Sequence, residues 1–254
     1  VILNNYDKAA YLTASRLGRL VGVSESTVVR FANELGFNGY SDFQRAIQEL
    51  VRIKLTPNQR IEITKQRIGR ADILECVMES DINKIRFTLD NLDREVFSKS
   101  VDAILSAKTI YITGARSTEP LAKLLYYNLS MIFDNVRFIT PTSSAEVFEQ
   151  MFSLGSDDTL IAFSFPRYSS KMVNAVKYAK NNNAKVVVFT DSNISPLAEH
   201  ANYLITAQSD MASFMDSLVA PISIINAIIV EITNRREKEI TQRFDPLEKV
   251  WDEY

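Results

Sequence analysis

A chain of 254 residues with 46% apolar content can fill one large core or two modest ones, and seven Gly, seven Pro and 24% charged residues exclude disordered, collagen-like and low-complexity readings. A single cysteine, Cys76, excludes an intrachain disulfide and a cysteine-built zinc site, and a single histidine, His200, excludes histidine-rich metal centres. The net charge of −2 hides an asymmetry: residues 1–70 carry eleven Lys and Arg against six Asp and Glu, and the remainder carries eighteen against twenty-five. A basic N-terminal module on an acidic body suits a nucleic-acid binder joined to something else.

No charged segment followed by an apolar core opens the sequence, so the expectation is a cytoplasmic protein without a secretory leader. Val1 stands in mid-pattern with no Met before it, and the native start is expected upstream. The most apolar stretch, residues 217–230 (SLVAPISIINAIIV), is too short for a membrane span and carries Pro221, Ser223 and Asn226. It reads as a buried or intersubunit helix, with no membrane partner.

The first seventy residues show helical periodicity in short pieces. Thr13 is placed to cap a helix covering Leu17, Leu20 and Val21, which Gly22 ends. Ser24 is placed to cap a second helix, in which Val28, Phe31, Ala32 and Leu35 fall on one apolar face. Gly36 and Gly39 punctuate the next turn, and Ser41 with Gln44 forms a capping-box pattern for a third helix. Val23 is expected to plug the angle between the first two helices. With the apolar face inward, Ser26, Arg30 and Asn33 lie opposite, Thr27 flanks them and Ser24 sits at the cap. These donors and acceptors suit base edges in a major groove. Residues 57–70 (PNQRIEITKQRIGR) are polar and read as a linker or exposed connecting helix, which predicts a DNA-binding domain over 1–56, a linker over 57–71 and a second domain over 72–254.

Residues 73–105 are helical in pattern, with Ile82, Ile85, Leu89 and Leu92 in one stripe. Five short β-branched and aromatic runs follow, at 109–113, 136–140, 159–165, 185–190 and 203–206, and helix-patterned stretches separate most of them. Alternation of this kind predicts an α/β, doubly wound, five-stranded parallel sheet whose ligands bind beyond the carboxyl ends of the strands.

The segment 13–43 resembles the DNA-binding domain of RpiR-family transcriptional regulators through Gly22, Val23, Ser24, Thr27, Val28, Arg30, Phe31, Leu35, Gly36, Phe37, Gly39, Tyr40 and Phe43. The resemblance implies an all-α helix-turn-helix domain followed by a sugar isomerase (SIS) domain, and it adds Tyr40 to the DNA-facing set. It further implies a homodimer or homotetramer that binds a double-stranded operator and senses a small anionic sugar or sugar phosphate. No cofactor, metal or catalytic residue is implied.

Independently, the first strand runs into Gly114, Ala115, Arg116, Ser117 and Thr118 before a helix, where backbone N–H groups, hydroxyls and a helix dipole converge as an anion cradle. The third strand ends in Ser164, Pro166, Arg167, Ser169 and Ser170 before another helix, and the fourth in Thr190, Asp191 and Ser192. SIS domains carry a Ser-x-Ser-Gly-x-Thr loop after the third strand. Here Pro166 and Arg167 replace Ser-Gly, which removes an N–H and offers a guanidinium fork instead.

The alternative is an SIS-type phosphosugar isomerase or lyase. It needs a general base, and the candidates are Glu119, Glu146, Glu199 and His200. No pair has enforced spacing, and an isomerase has no use for a recognition helix. A third reading, an interaction protein built on the apolar helix and the tail 244–254, needs only an intersubunit surface that a regulator also has.

Overall fold

The computed structural model describes residues 10–69, 71–140 and 143–253; Val1 and Tyr254 lie outside them. The chain forms two units, Val1–Arg70 with Met211–Met215, and Ala71–Asp210 with Asp216–Tyr254.

In the first unit, α1 (Ala14–Val21) opens at Thr13, whose hydroxyl accepts the Arg16 N–H, and closes at Gly22, which supplies the left-handed backbone (φ 76°) of the turn. Ser24 then caps α2 (Glu25–Glu34), and α3 (Tyr40–Lys54) follows. Ala14, Leu17, Val28, Ala32, Tyr40 and Phe43 form the core, with Phe37 and Phe43 edge to face at 5.4 Å. The apolar stripe is only partly used: Val28 and Ala32 are buried, while Phe31 is 43% and Leu35 52% exposed among the described residues. Leu20, Val21 and Val23 are exposed as well, so Val23 does not plug the helix angle. Nor does Gln44 close a capping box, because its amide donates instead to the Leu12 carbonyl at 2.7 Å.

The stretch expected to be a linker or exposed connecting helix is α4 (Pro57–Ile68), opened by a full capping box between Thr56 and Gln59. It belongs to the first unit and buries Arg60 completely. Most of the helix is exposed, as its polarity suggested, and the buried exceptions are Arg60 and Thr64, with Arg60 donating to the Phe214 carbonyl at 3.2 Å.

In the second unit, α5 (Ile73–Asn91) and α6 (Arg94–Leu105) replace the single helical pattern over 73–105. Asp93 divides them, its carboxylate accepting the N–H groups of Glu95 and Val96 at 2.8 and 3.0 Å. Strands β1 (Ile110–Gly114), β2 (Val136–Ile139), β3 (Thr159–Phe163), β4 (Lys185–Thr190) and β5 (Tyr203–Thr206) pair in parallel in the order β2-β1-β3-β4-β5, the doubly wound sheet the pattern predicts.

Residue parity sorts the sheet's two faces. Ile110, Ile112, Ile161, Phe163, Val187 and Phe189 pack with α6, α7 (Glu119–Ile132) and α10 (Val219–Arg235). Tyr111, Leu160, Ala162, Val186 and Val188 pack with α8 (Ser144–Gln150) and α9 (Ser170–Asn181). Helix α10 holds the apolar run expected to be buried: Ile224, Ile225, Ile228 and Ile232 face the core, and Ile222 and Val230 are exposed. A last helix, α11 (Glu237–Glu253), covers most of the tail. Among the described residues no helix is long and apolar enough to cross a membrane.

Candidate functional site

Two regions concentrate exposed polar chemistry, one in each unit. In the first, Ser24 Oγ accepts the Thr27 N–H at 3.2 Å and lies 2.8 Å from both Ser26 Oγ and Thr27 Oγ1. Three hydroxyls therefore cluster on the first turn of α2, where the helix dipole is positive. Arg30 and Asn33 are exposed further along the same helix. Ser24, Ser26, Thr27, Arg30 and Asn33 thus share one helix with polar groups turned outward, as a groove-entering helix requires. Tyr40 does not join them: it is buried in the core, and its hydroxyl donates to the Leu12 carbonyl at 2.8 Å. Burial raises its phenol pKa above the ordinary value.

In the second unit the chain reverses direction across the sheet between β1 and β3. Strand β1 leads through α7 to β2 on one side, and β3 leads through α9 to β4 on the other. A crevice at such a switch point is where doubly wound sheets take ligands. Gly114 is in register with Phe163, so the loops leaving β1 and β3 start side by side, with their helices on opposite faces. Gly114 is required there, since a Cβ would stand 2.6 Å from the Thr118 carbonyl oxygen.

Each loop holds an arginine in the left-handed backbone region, Arg116 at φ 58° and Arg167 at φ 63°. Among the described residues the only other non-glycine there is Asn183, a type that tolerates it. Strain of this kind gathers at ligand clamps. Helices α7 and α9 also lack a side-chain cap, although Thr118 and Ser169 precede them. Helices α1, α2, α4, α5, α6 and α8 are side-chain capped, while α10, which follows Leu218, is not.

The predicted residues divide accordingly. Arg116, Ser117, Arg167 and Ser170 are exposed at this edge, and Ser169 is half-buried. Thr118 is buried and fastens the site instead of facing a ligand. Its hydroxyl accepts the Ala115 N–H at 3.0 Å and lies within donating distance of the Ala115 and Phe163 carbonyls, at 2.9 and 3.0 Å. Ser164 is buried, with its N–H extending the ladder to the Phe189 carbonyl. Sequence reasoning missed the Tyr168 hydroxyl, which donates to Asp191 Oδ1 at 2.8 Å and ties the β3 loop to the end of β4. A tyrosine and an aspartate 23 positions apart carry no sequence signal of that bond.

Of the candidate bases, Glu119 and Glu146 lie in the first turns of α7 and α8. Glu119 is paired with Lys123 at 2.7 Å. His200 is paired with Glu199 at 3.1 Å, near the opposite sheet edge, where Asn202 bonds the backbone of Val186.

Residues 1–52 match the family profile "Helix-turn-helix domain, rpiR family", and residues 103–231 match that of the SIS domain. An HTH-type transcriptional regulator of Clostridium perfringens is 24% identical over 95% of this chain and 88% of its own length. The Escherichia coli regulator HexR is 24% identical over 93% of this chain and 81% of its own length. The Vibrio vulnificus NanR protein, solved in complex with ManNAc-6P, has the same fold, with a TM-score of 0.65 and 20% identity over all of this chain and 90% of its own.

Proposed function

The chain belongs to the RpiR family of helix-turn-helix and SIS-domain transcriptional regulators, and from that premise we propose where and how it works. Helix α2 enters the major groove of a double-stranded operator, with Arg30 and Asn33 reaching base edges and the Ser24, Ser26 and Thr27 hydroxyls meeting the backbone. The crevice between the loops of β1 and β3 takes a small anionic sugar or sugar phosphate. The protein acts in the cytoplasm, where its operator lies, and needs no cofactor.

One observation carries the effector reading. Two helices without side-chain caps start from adjacent loops, and each loop holds a strained arginine. Helix N-termini favour negative charge, and guanidinium groups add charge-assisted donors for phosphate or carboxylate. The Pro166-Arg167 replacement keeps the anion and shifts its recognition from backbone N–H groups to a side chain. The pairings of Glu119 and His200 favour a sensor over an isomerase.

The working form is a homodimer or homotetramer. Helix α5 exposes Leu74, Met78, Ile82 and Leu89, and α10 exposes Ile222 and Val230. Between the two helices lies an apolar cavity of about 290 Å³ lined by Ile85, Leu92, Phe97 and Ala227. A second copy covering this face doubles the recognition helices, as a palindromic operator requires.

The test has two parts. Operator fragments are selected from a random DNA pool by the purified protein, and sugar phosphates and acidic sugars are screened by thermal shift. A ligand that stabilises the wild type and changes operator affinity supports the reading. Turnover of that ligand establishes the enzyme instead.

A further inference from the structure

β5 ends at Thr206 on the carboxyl edge of the sheet, and the next N–H, that of Ala207, still donates to the Thr190 carbonyl at 2.8 Å. From this edge the chain makes an excursion over residues 207–217 before α10 begins. Both feet of the excursion are held within the second unit by α5. The Gln208 N–H donates to Thr88 Oγ1 at 2.9 Å, and the Ser217 hydroxyl donates to Asp81 Oδ1 at 2.7 Å. Lys84, itself buried, lies 3.4 Å from the same carboxylate oxygen. The feet are clipped together by the Ser217 N–H, which donates to the Asp210 carbonyl at 2.8 Å.

The tip is built differently. Met211–Met215 belongs to the helical unit. Met211 is buried in one cluster with Ala10 and Leu55. Arg67 donates to the Met211 carbonyl at 3.1 Å, and the buried Arg60 donates to the Phe214 carbonyl at 3.2 Å. The tip is folded back on itself by the Ala212 and Ser213 N–H groups, which both donate to the Met215 carbonyl. A buried guanidinium is tolerated only where hydrogen bonds satisfy it, so the Phe214 carbonyl is part of what lets the helical unit close. Displacing the feet therefore withdraws a core methionine and a partner of a buried arginine from the helical unit.

We propose that residues 207–217 are the coupling element of this regulator: a loop rooted at the sensor edge whose tip completes the core of the DNA-binding unit. This rests on the functional reading given above, since coupling has meaning only if the two units bind DNA and effector. A ligand at the edge biases the feet, and the tip conveys that bias because the packed core has discrete arrangements. Linkage makes the effect reciprocal, so DNA must act back on the feet.

Hydrogen exchange on the full chain tests the device without knowledge of the effector. Thr88→Val and Ser217→Ala each release one foot inside the second unit, and Arg67→Ala removes, from an exposed position of α4, one bond to the tip. Each variant is expected to speed amide exchange across Pro57–Ile68 about tenfold, while exchange in β1, β3 and β4 stays at the wild-type rate. Unchanged exchange across Pro57–Ile68 in all three variants overturns the proposal. In a second arm, DNA selected by the wild type from a random pool is added. It should slow exchange at residues 207–217 in the wild type and leave Arg67→Ala unaffected. If bound DNA leaves those residues unchanged in the wild type, coupling through this loop is wrong. If the wild type selects no DNA, the functional reading fails, and the exchange of the three variants still decides whether the loop joins the two units energetically.

Discussion

The hydroxyl of Thr118 lies 3.0 Å from the carbonyl oxygen of Phe163, so the loop that leaves β1 is fastened to the last residue of β3. The same hydroxyl oxygen of Thr118 accepts the Ala115 N–H at 3.0 Å, so one buried side chain holds the loop at two points. Thr118→Val keeps the shape and removes every bond. It should destabilise the second unit by about 1–3 kcal/mol, because a carbonyl and an N–H lose their partner in a buried place. Thr118→Ser should stay near wild type. Thermal unfolding of the two variants checks this, and equal melting temperatures would assign the hydroxyl no fastening role.

Tyr40 gives a pH signature in the helical unit. Its hydroxyl bond to Leu12 is worth about 1 kcal/mol, which Tyr40→Phe should lose at neutral pH with operator affinity unchanged. Burial raises the phenol pKa above 10.0 in the folded state, so above pH 10 the unfolded chain ionises more readily. Stability is therefore level below that pH and falls as pH rises through the folded value. Urea titrations between pH 8 and about 11 should show a shallower fall in Tyr40→Phe.

Arg30 lies opposite Val28 and Ala32 on α2, the buried pair of that helix. If it reads guanine in a bidentate manner, Arg30→Ala should weaken operator binding by about 1–3 kcal/mol and relax specificity at one base position. A loss spread evenly over operator variants would mean a phosphate contact. Competition binding against single-base operator variants separates the two.

Periodicity carried much of this into view, and its failures have common physical causes. Runs such as Val186–Val188 are apolar on both sheet faces, and no helix can hide such a run as simply as a covered parallel strand does, so the sheet was legible. The caps at Thr13, Ser24 and Asp93 are local, within four residues of the groups they satisfy, and Thr13 and Ser24 could be named from type alone. What escaped depends on partners distant in sequence. Gln44 leaves its capping pattern for Leu12, Thr118 turns from the expected anion cradle to Phe163, and Arg60 finds Phe214 in a loop 154 positions away. A polar stretch around a buried arginine reads as a linker until that loop is known.

The exposed stripe on α5 predicts an oligomer that charge can split. Ile82 is 58% exposed amid Met78 and Leu89, and Ile82→Glu places a carboxylate in the proposed interface. Burying an unpaired charge costs several kcal/mol, enough to dissociate the assembly at micromolar concentration. Sedimentation should show the variant as a monomer with an unchanged circular dichroism spectrum. A variant of wild-type mass would move the interface elsewhere.

Arg167 sets fold stability against ligand binding at one position. A side chain in the left-handed region is strained by about 1–2 kcal/mol relative to glycine, and glycine gives back about 0.4–1 kcal/mol of that through the extra freedom of the unfolded chain. Arg167→Gly should therefore leave the second unit as stable as wild type or slightly more so, whereas Arg167→Ala, which keeps the strain, should change stability little. Both remove the guanidinium. With a charge-assisted bond worth about 1.5–3 kcal/mol, effector affinity should fall by roughly 10- to 150-fold in each. Arg167→Lys keeps the charge without the planar fork and should lie between. Calorimetric titration with the effector found by screening, beside melting curves of the three variants, reads both quantities. If the glycine variant binds effector like wild type, the strained arginine at the β3 loop does not hold the anion, and Arg116 at the β1 loop becomes the residue to replace.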